Sequence, residues 1–375
     1  MPAKRAMTTP NSIEEAAATI KELSSQGATI RPAGQDSRKD WGGDDAAGTV
    51  TVHTGGLNRI VAHNPGDFTA IVQAGVPLAD LQRHLGREGQ WLALDPPDRG
   101  GTVGGLVATA DSGPARHRYG GVRDLVIGIT VVLSDGSVAR SGGTVIKNVA
   151  GYDLGKLFAG SYGTLGLVTQ VALRLHPLPA RTATLVAGTE DPAVLTRAVL
   201  AMSRHPLEAM SLDVSWRKDA GRLLVRFGGV TAPERAAHAA KHLADNAVDT
   251  DVVLDDESIW AAQRAAQRGA AVVKVSALPT DLPAVIAAAG AATVVSRAAL
   301  GVSWLSFPES DDLADRVEAT REALSPHQAA VLDGARLVDA PWPEPDPGTL
   351  ALMRRVKARF DPTGTFRPGT YVGGI

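Results

Sequence analysis

The chain of 375 residues contains no cysteine. That absence removes disulfides, a thiolate nucleophile, cysteine-ligated zinc and the usual iron–sulfur ligands, so any iron–sulfur cluster working with this chain belongs to another one. A surplus of either charge is lacking too. With 38 Lys and Arg against 40 Asp and Glu, the net charge of -2 leaves nothing with which to neutralise the phosphates of a nucleic acid. No run approaches the roughly 20 apolar residues of a membrane span, and the N-terminal Lys4 and Arg5 precede no apolar leader segment, so a cytoplasmic chain is expected. No G-x-G-x-x-G follows the first strand, which argues against a nicotinamide-binding Rossmann fold.

Glycine, by contrast, is abundant, and the most informative stretch is 142–179, GGTVIKNVAGYDLGKLFAGSYGTLGLVTQVALRLHPLP. Gly160, Gly163 and Gly166 recur every three residues, which a helix interior disfavours by about 1 kcal/mol per glycine. Residues 165–175 then read as a partly buried strand carrying Leu167, Val168, Val171, Leu173 and Leu175. A glycine turn running into a strand suits backbone apposed to a ligand, and equally a simple chain reversal.

The length favours two or three domains, and the pattern predicts an α+β architecture. A helix over 12–25 starts at Ser12, with Glu14 and Glu15 in its first turn. Strands are predicted at 28–31, 48–54 and 69–74, and a helix at 77–85. Residues 95–121 are loop-rich, a length that points to function. Strands at 125–133 and 137–140 are joined by Asp135-Gly136, a hairpin signal. From 184 to 332 the order strand, helix, strand, strand, helix, strand occurs twice, with a linking helix that carries Trp260 between the copies. This is the order of ferredoxin-like units, and two of them can share one antiparallel sheet with helices on one face. Residues 341–347 read as a proline-rich linker and 349–360 as a last helix.

The blocks IRPAGQDSR, DPPDRGGTVGGLVATADSGPARHRYGGVRD, KNVAGYDL with GTLGLV, and DPTGTFRPG resemble those of the FAD-linked oxidases with the fold of vanillyl-alcohol oxidase and p-cresol methylhydroxylase. The FAD-binding E subunits of bacterial glycolate oxidases are the most similar group. The resemblance implies a PCMH-type FAD-binding domain over 1–180, a cap or substrate domain of two ferredoxin-like units over 181–340, and a C-terminal segment, 341–375, that returns to the FAD domain. It implies diphosphate contacts from Pro32, Gly34, Gln35, Asp36 and Ser37. Pro97, Thr102, Gly104 and Gly105 belong to the block of second phosphate and ribityl contacts. Ser112, Gly113, Arg118, Tyr119 and Gly120 would run along the isoalloxazine, with Asp124 stabilising the turn. Asn148, Gly151 and Tyr152 would lie near the flavin, and the backbone of Gly166, Leu167 and Val168 would hold adenine.

Departures from the family pattern matter as well. Covalent relatives tether flavin through a histidine in the first glycine loop or elsewhere; this loop has Gln35 and Asp36 and no histidine, and cysteine is absent, so noncovalent FAD is expected. Arg367 stands where the family tail has asparagine. The His-x-Gly-Asp-Gly-Asn-x-His element of catalytic relatives, which resembles a substrate and metal site, is missing between 180 and 340. No metal and no catalytic residue is therefore assigned.

The implied function is the FAD-binding subunit of a glycolate oxidase complex that turns glycolate into glyoxylate. Its implied partners are an FAD-containing catalytic sister subunit and an iron–sulfur subunit, through which alone it would reach the inner membrane. The alternatives are a self-sufficient FAD-dependent dehydrogenase of another 2-hydroxy acid or alcohol, and a non-catalytic scaffold.

Several side chains invite sharper readings. His238 and His242 are spaced to share a metal, but Ala239 replaces the glutamate of HExxH and no third ligand is evident, so a solvated helix face is expected. His117 lies between Arg116 and Arg118, which favour its neutral form or anion binding over a base role. Arg116, Arg118 and Arg123 either draw in a carboxylate or pair with Asp111 and Asp124. Tyr119 and Tyr152 suit a flavin contact better than chemistry.

Overall fold

The computed structural model describes residues 7–97, 100–144, 152–244 and 249–375. Helix Ile13–Ser25 starts as the sequence predicts: Ser12 Oγ accepts from the Glu15 N–H at 3.0 Å. Ala16 and Ile20, four apart on one face, are fully buried against Ile30, Val52 and Phe366. Beside this helix lies a parallel sheet in the order Met7–Thr8, Val50–His53, Ile30–Ala33.

An antiparallel sheet follows in the order Ile60–Asn64, Thr69–Gln73, Leu167–Arg174, Val126–Val132, Val138–Gly142. The strand after the glycine-spaced stretch sits at its centre and is buried on both faces, which accounts for its run of apolar residues. Strand Ile60–Asn64 was not predicted, because an edge strand that is half solvated carries too little apolar alternation to read. The short helices Val103–Thr109 and Arg116–Tyr119 break the predicted loop of 95–121, and Val122–Leu125 follows it, taking the first residue of the predicted strand at 125–133.

Residues 182–331 form one eight-stranded antiparallel sheet. Its order is Asp249–Val253, Thr182–Thr189, Ala220–Gly228, Ser211–Arg217, Thr293–Arg297, Val302–Phe307, Ala271–Ser276, Gln328–Val331. Each half repeats the ferredoxin-like strand order, and the halves join where Val214 pairs with Ser296. Helices Pro192–Arg204, Ala232–Ala244, Leu282–Ala289 and Leu313–Ala323 bury Val199, Leu243, Val285 and Val317 on one face, against Leu185, Leu212, Val225 and Leu305. The opposite face is polar. It carries Thr184, Asp213, Lys274 and Arg297, and is partly covered by helix Glu257–Ala265, whose Trp260 Nε1 donates to Thr184 Oγ1 at 2.7 Å.

The last helix, Pro347–Phe360, starts two residues earlier than predicted because Asp346 caps it, its carboxylate accepting from the Thr349 N–H at 3.0 Å. The chain then returns to the first sheet. The Ile30 N–H donates to the Thr365 carbonyl at 2.7 Å, and the Arg367 N–H donates to the Ile30 carbonyl at 3.1 Å.

Candidate functional site

An open cleft lies between the loop after strand Ile30–Ala33, helix Val103–Thr109 and the turn 161–168; its empty volume, solvent at the mouth included, is about 810 Å³. Its walls bring together Pro32, Gly34, Gln35, Asp36, Ser37, Thr102, Gly104, Gly105, Gly166, Leu167 and Val168. The segments are locked to one another. Gln35 Oε1 accepts from the Gly101 N–H at 2.8 Å, which ties the first loop to the second. A Cβ on Gly34 would overlap the Thr102 side chain, so glycine is what lets these two loops touch. Thr102 Oγ1 caps its helix by accepting from the Gly105 N–H at 3.2 Å, and the Gly104 N–H donates to the Ala74 carbonyl at 2.8 Å. A Cβ on Gly104 would lie 2.7 Å from Ala74 Cβ, so this helix start is pressed onto the neighbouring strand.

The inner surface of the cleft offers donors. Among the described residues, the backbone N–H groups of Gly34, Gln35, Asp36 and Ser37 reach no acceptor, an arrangement suited to an anion. Ser161 Oγ is buried in the cleft wall without a partner. Around them are Arg31, Arg38, Lys39 and Arg367. Arg31 donates to both Asp36 oxygens, at 2.7 and 3.1 Å. Burial alone would raise the Asp36 carboxyl, but the hydrogen bond and charge of Arg31 outweigh it and hold its pKa below the usual range. Arg38 Nη2 lies 2.7 Å from Asp111 Oδ2, with both side chains almost fully buried.

Pro97, Ser112, Gly113, Arg118, Tyr119, Gly120, Asp124 and Tyr152 lie outside this cleft wall, while Asn148 and Gly151 lie outside the described residues. Their surroundings account for several of them. A Cβ on Gly113 would overlap the Asp95 carbonyl, so its glycine serves that contact. Tyr119 packs on His176 and Trp91, with ring centroids 4.6 and 5.5 Å apart. Asp124 Oδ2 accepts from the Gly121 N–H at 2.9 Å and so braces the turn. Tyr152 is 93% exposed. Of the two fates expected for the arginines, pairing with Asp111 does not occur: Asp111 is taken by Arg38, and Arg118 pairs with Glu208 at 3.2 Å.

Sequence reasoning missed Arg31, Arg38, Lys39, Thr54, Ser161, Tyr162 and Gly163 in the wall. A signal was present for some: the arginines flank the first loop, and Gly163, at φ 74°, lies in the glycine-spaced run where a left-handed turn is needed.

A second polar layer separates the eight-stranded sheet from the loop at Ser112. Arg297, fully buried, donates to Gln267, stacks 4.2 Å over the Trp304 ring and faces Asp213, while Gln267 Nε2 donates to the Ser112 carbonyl at 3.4 Å. Burial, then the charges of Arg116 and Arg297, lowers the Lys274 pKa; burial raises that of Asp213. His117 has Nδ1 buried without a partner, and burial lowers its pKa. His238 and His242 pack against His205, with ring centroids at 5.7 and 4.7 Å. Among the described residues, no cluster of three or more His, Cys, Asp or Glu side chains is placed to hold a metal.

Residues 5–142 match the family model described as an FAD binding domain. The chain carries an FAD-binding domain. The solved structure of an alkyldihydroxyacetonephosphate synthase superposes on 96% of the chain and 76% of its own, with a TM-score of 0.73 at 16% identity, so the FAD-binding domain and the large sheet together have the PCMH-type fold. A D-lactate dehydrogenase of Anaerostipes hadrus is 32% identical over 202 residues, 54% of this chain and 42% of that protein. Glycolate oxidase subunit GlcE of Escherichia coli is 41% identical over 122 residues, 32% of this chain and 35% of that one. Glycolate oxidase subunit GlcD of Bacillus subtilis is 34% identical over 187 residues, 50% and 40% of the two chains. The matched regions span less than half the length of each of these relatives. Among the described residues no helix is long and apolar enough to cross a membrane.

Proposed function

We propose that the cleft holds the FAD of an oxidoreductase acting on 2-hydroxy acids, and that the chain is the FAD-binding subunit of a glycolate oxidase complex with a catalytic sister flavoprotein and an iron–sulfur subunit. One observation carries the placement of the cofactor. Three segments distant in sequence converge on one cleft, where the N–H groups of Gly34 to Ser37 and the buried Ser161 hydroxyl have no partner among the described residues. A buried donor such as the Ser161 hydroxyl is normally satisfied, and the loop N–H groups, exposed at Gln35 and Asp36 and half-buried at Gly34 and Ser37, line the same cleft; together they fit a polar anionic group such as a diphosphate.

Bound FAD supplies a two-electron acceptor for the hydride of a hydroxyl-bearing carbon. The chain's own part is to bind and orient. The first loop would hold the diphosphate, Thr102 to Gly105 the stretch beyond it, and strand Leu167–Arg174 the adenine end. Lys274 and Arg116, with the fully buried Arg297 beside them, form a cationic group suited to a carboxylate. The likeness to glycolate oxidase subunits supports the complex, and so does the missing histidine element, because oxidation then needs a partner. The likeness to a D-lactate dehydrogenase favours the second reading, a self-sufficient dehydrogenase.

The test is to purify the chain alone, record its visible spectrum, and add glycolate, then D-lactate, without oxygen. A yellow protein that glycolate reduces only after the sister subunit is added is expected. A colourless protein with no affinity for FAD would sink both readings, and rapid bleaching by D-lactate without partners would establish the second.

A further inference from the structure

The tail brings one cation into the cleft that the family pattern does not supply. Arg367 follows Phe366, which is fully buried, and its backbone sits at φ 43°, a left-handed conformation that costs an ordinary side chain about 1 kcal/mol. Such strain persists where the surroundings hold a side chain in a particular place. Here Arg367 Nε donates to Asp45 Oδ1 at 2.8 Å and Nη1 donates to the Tyr162 carbonyl at 3.1 Å, while its stem packs on Gly163. Two edges of the fork are thus fixed. Nη2 makes no hydrogen bond among the described residues, and the side chain, about one-tenth exposed, lines the cleft.

Charge points the same way. Arg31 and Arg367 share Asp45, at 3.6 and 2.8 Å, so one carboxylate placed behind the wall orients two guanidinium groups. Among the residues that line the cleft, the cations Arg31, Arg38, Lys39 and Arg367 stand against one carboxylate, Asp36. The wall therefore retains positive charge, which suits an anionic ligand.

We propose that Arg367 binds a phosphate of the ADP half of FAD, so that the C-terminal segment completes the cofactor site. This rests on the placement of FAD in the cleft. A fixed guanidinium with one open edge is well suited to a phosphate oxygen.

The test uses the full chain stripped of flavin and measures dissociation constants for FAD, ADP and riboflavin by fluorescence and calorimetry. R367A is expected to weaken FAD and ADP by about tenfold or more, with riboflavin unchanged. Equal weakening of all three ligands, with a lowered melting temperature, would reduce Arg367 to a structural brace and overturn the proposal. So would unchanged ADP binding. If R367A does not fold, R367K, which keeps the charge but not the fork, is expected to weaken ADP several-fold, and parental binding by it overturns the proposal. If the parent itself binds no FAD, the placement of the cofactor fails, a result distinct from the others.

Discussion

Lys357, on the last helix, donates to the carbonyl of Thr164, 193 residues earlier, at 2.7 Å. The same ammonium donates to the Phe366 carbonyl at 2.7 Å and to Asp361 at 2.6 Å. One cation thus pins the tail to the glycine turn that forms a wall of the cleft.

Lys357→Met removes that pin while keeping most of the stem. It leaves two carbonyls and a buried carboxylate without their charged donor, and is expected to destabilise the fold by about 3 kcal/mol. Urea unfolding checks the magnitude; a change below about 1 kcal/mol would mean that water replaces the ammonium at little cost.

Arg38 and Asp111 form a buried pair linking the first loop to the residues after helix Val103–Thr109. Asp111→Asn keeps the shape but removes the buried carboxylate that pairs with the guanidinium at 2.7 Å, so a loss of about 3 kcal/mol is expected. Glu208→Gln, at the exposed pair with Arg118, is expected to change stability by less than about 1 kcal/mol. Chemical denaturation of the two variants side by side separates the buried pair from the exposed one.

Gly104→Ala tests the close approach to Ala74. The added Cβ meets both the Ala74 Cβ at 2.7 Å and its carbonyl at 3.0 Å, so the helix start must shift. A cost of about 1–3 kcal/mol is expected, together with weaker FAD binding, because the same helix carries Thr102 and Gly105. Flavin titration and thermal melting, read together, check both.

Asp95 gives a pH dependence of definite sign. Burial pushes its pKa up to about 7, although it accepts from the Ala115 N–H at 3.0 Å and Arg297 and Arg264 oppose the shift; Asp213 adds to it. The native state therefore holds this proton between the unfolded value near 4 and about 7, so stability falls as pH rises through that window and levels off above it. Asp95→Asn is expected to flatten the melting temperature between pH 5 and 8 relative to the parent. An identical slope in both proteins would assign the dependence to other groups.

Much of the fold was legible because its signals are local. The apolar run within 165–175 marked a strand, read as partly buried, which the sheet places at its centre and buries on both faces, and the order of strands and helices after 184 marked two similar units that share one sheet. Strand Ile60–Asn64 was not legible, since its partner across the left-handed Phe68 makes it a strand, not its own alternation. The site divides in the same way. Gly166 announced itself by its spacing, and Gly34 and Thr102 by the family blocks they lie in, whereas Arg31, Arg38 and Ser161 are ordinary polar residues in sequence.

Glycine positions and apolar periodicity act over a few residues through backbone sterics and burial, so the chain alone carried the glycine turns, the main strands and the family blocks. Which loops meet is another matter. The contacts Arg38–Asp111, Lys357–Thr164 and Arg367–Asp45 span 73, 193 and 322 residues. They exist only once two sheets and the returning tail have packed, because their strength comes from burial that no single segment possesses.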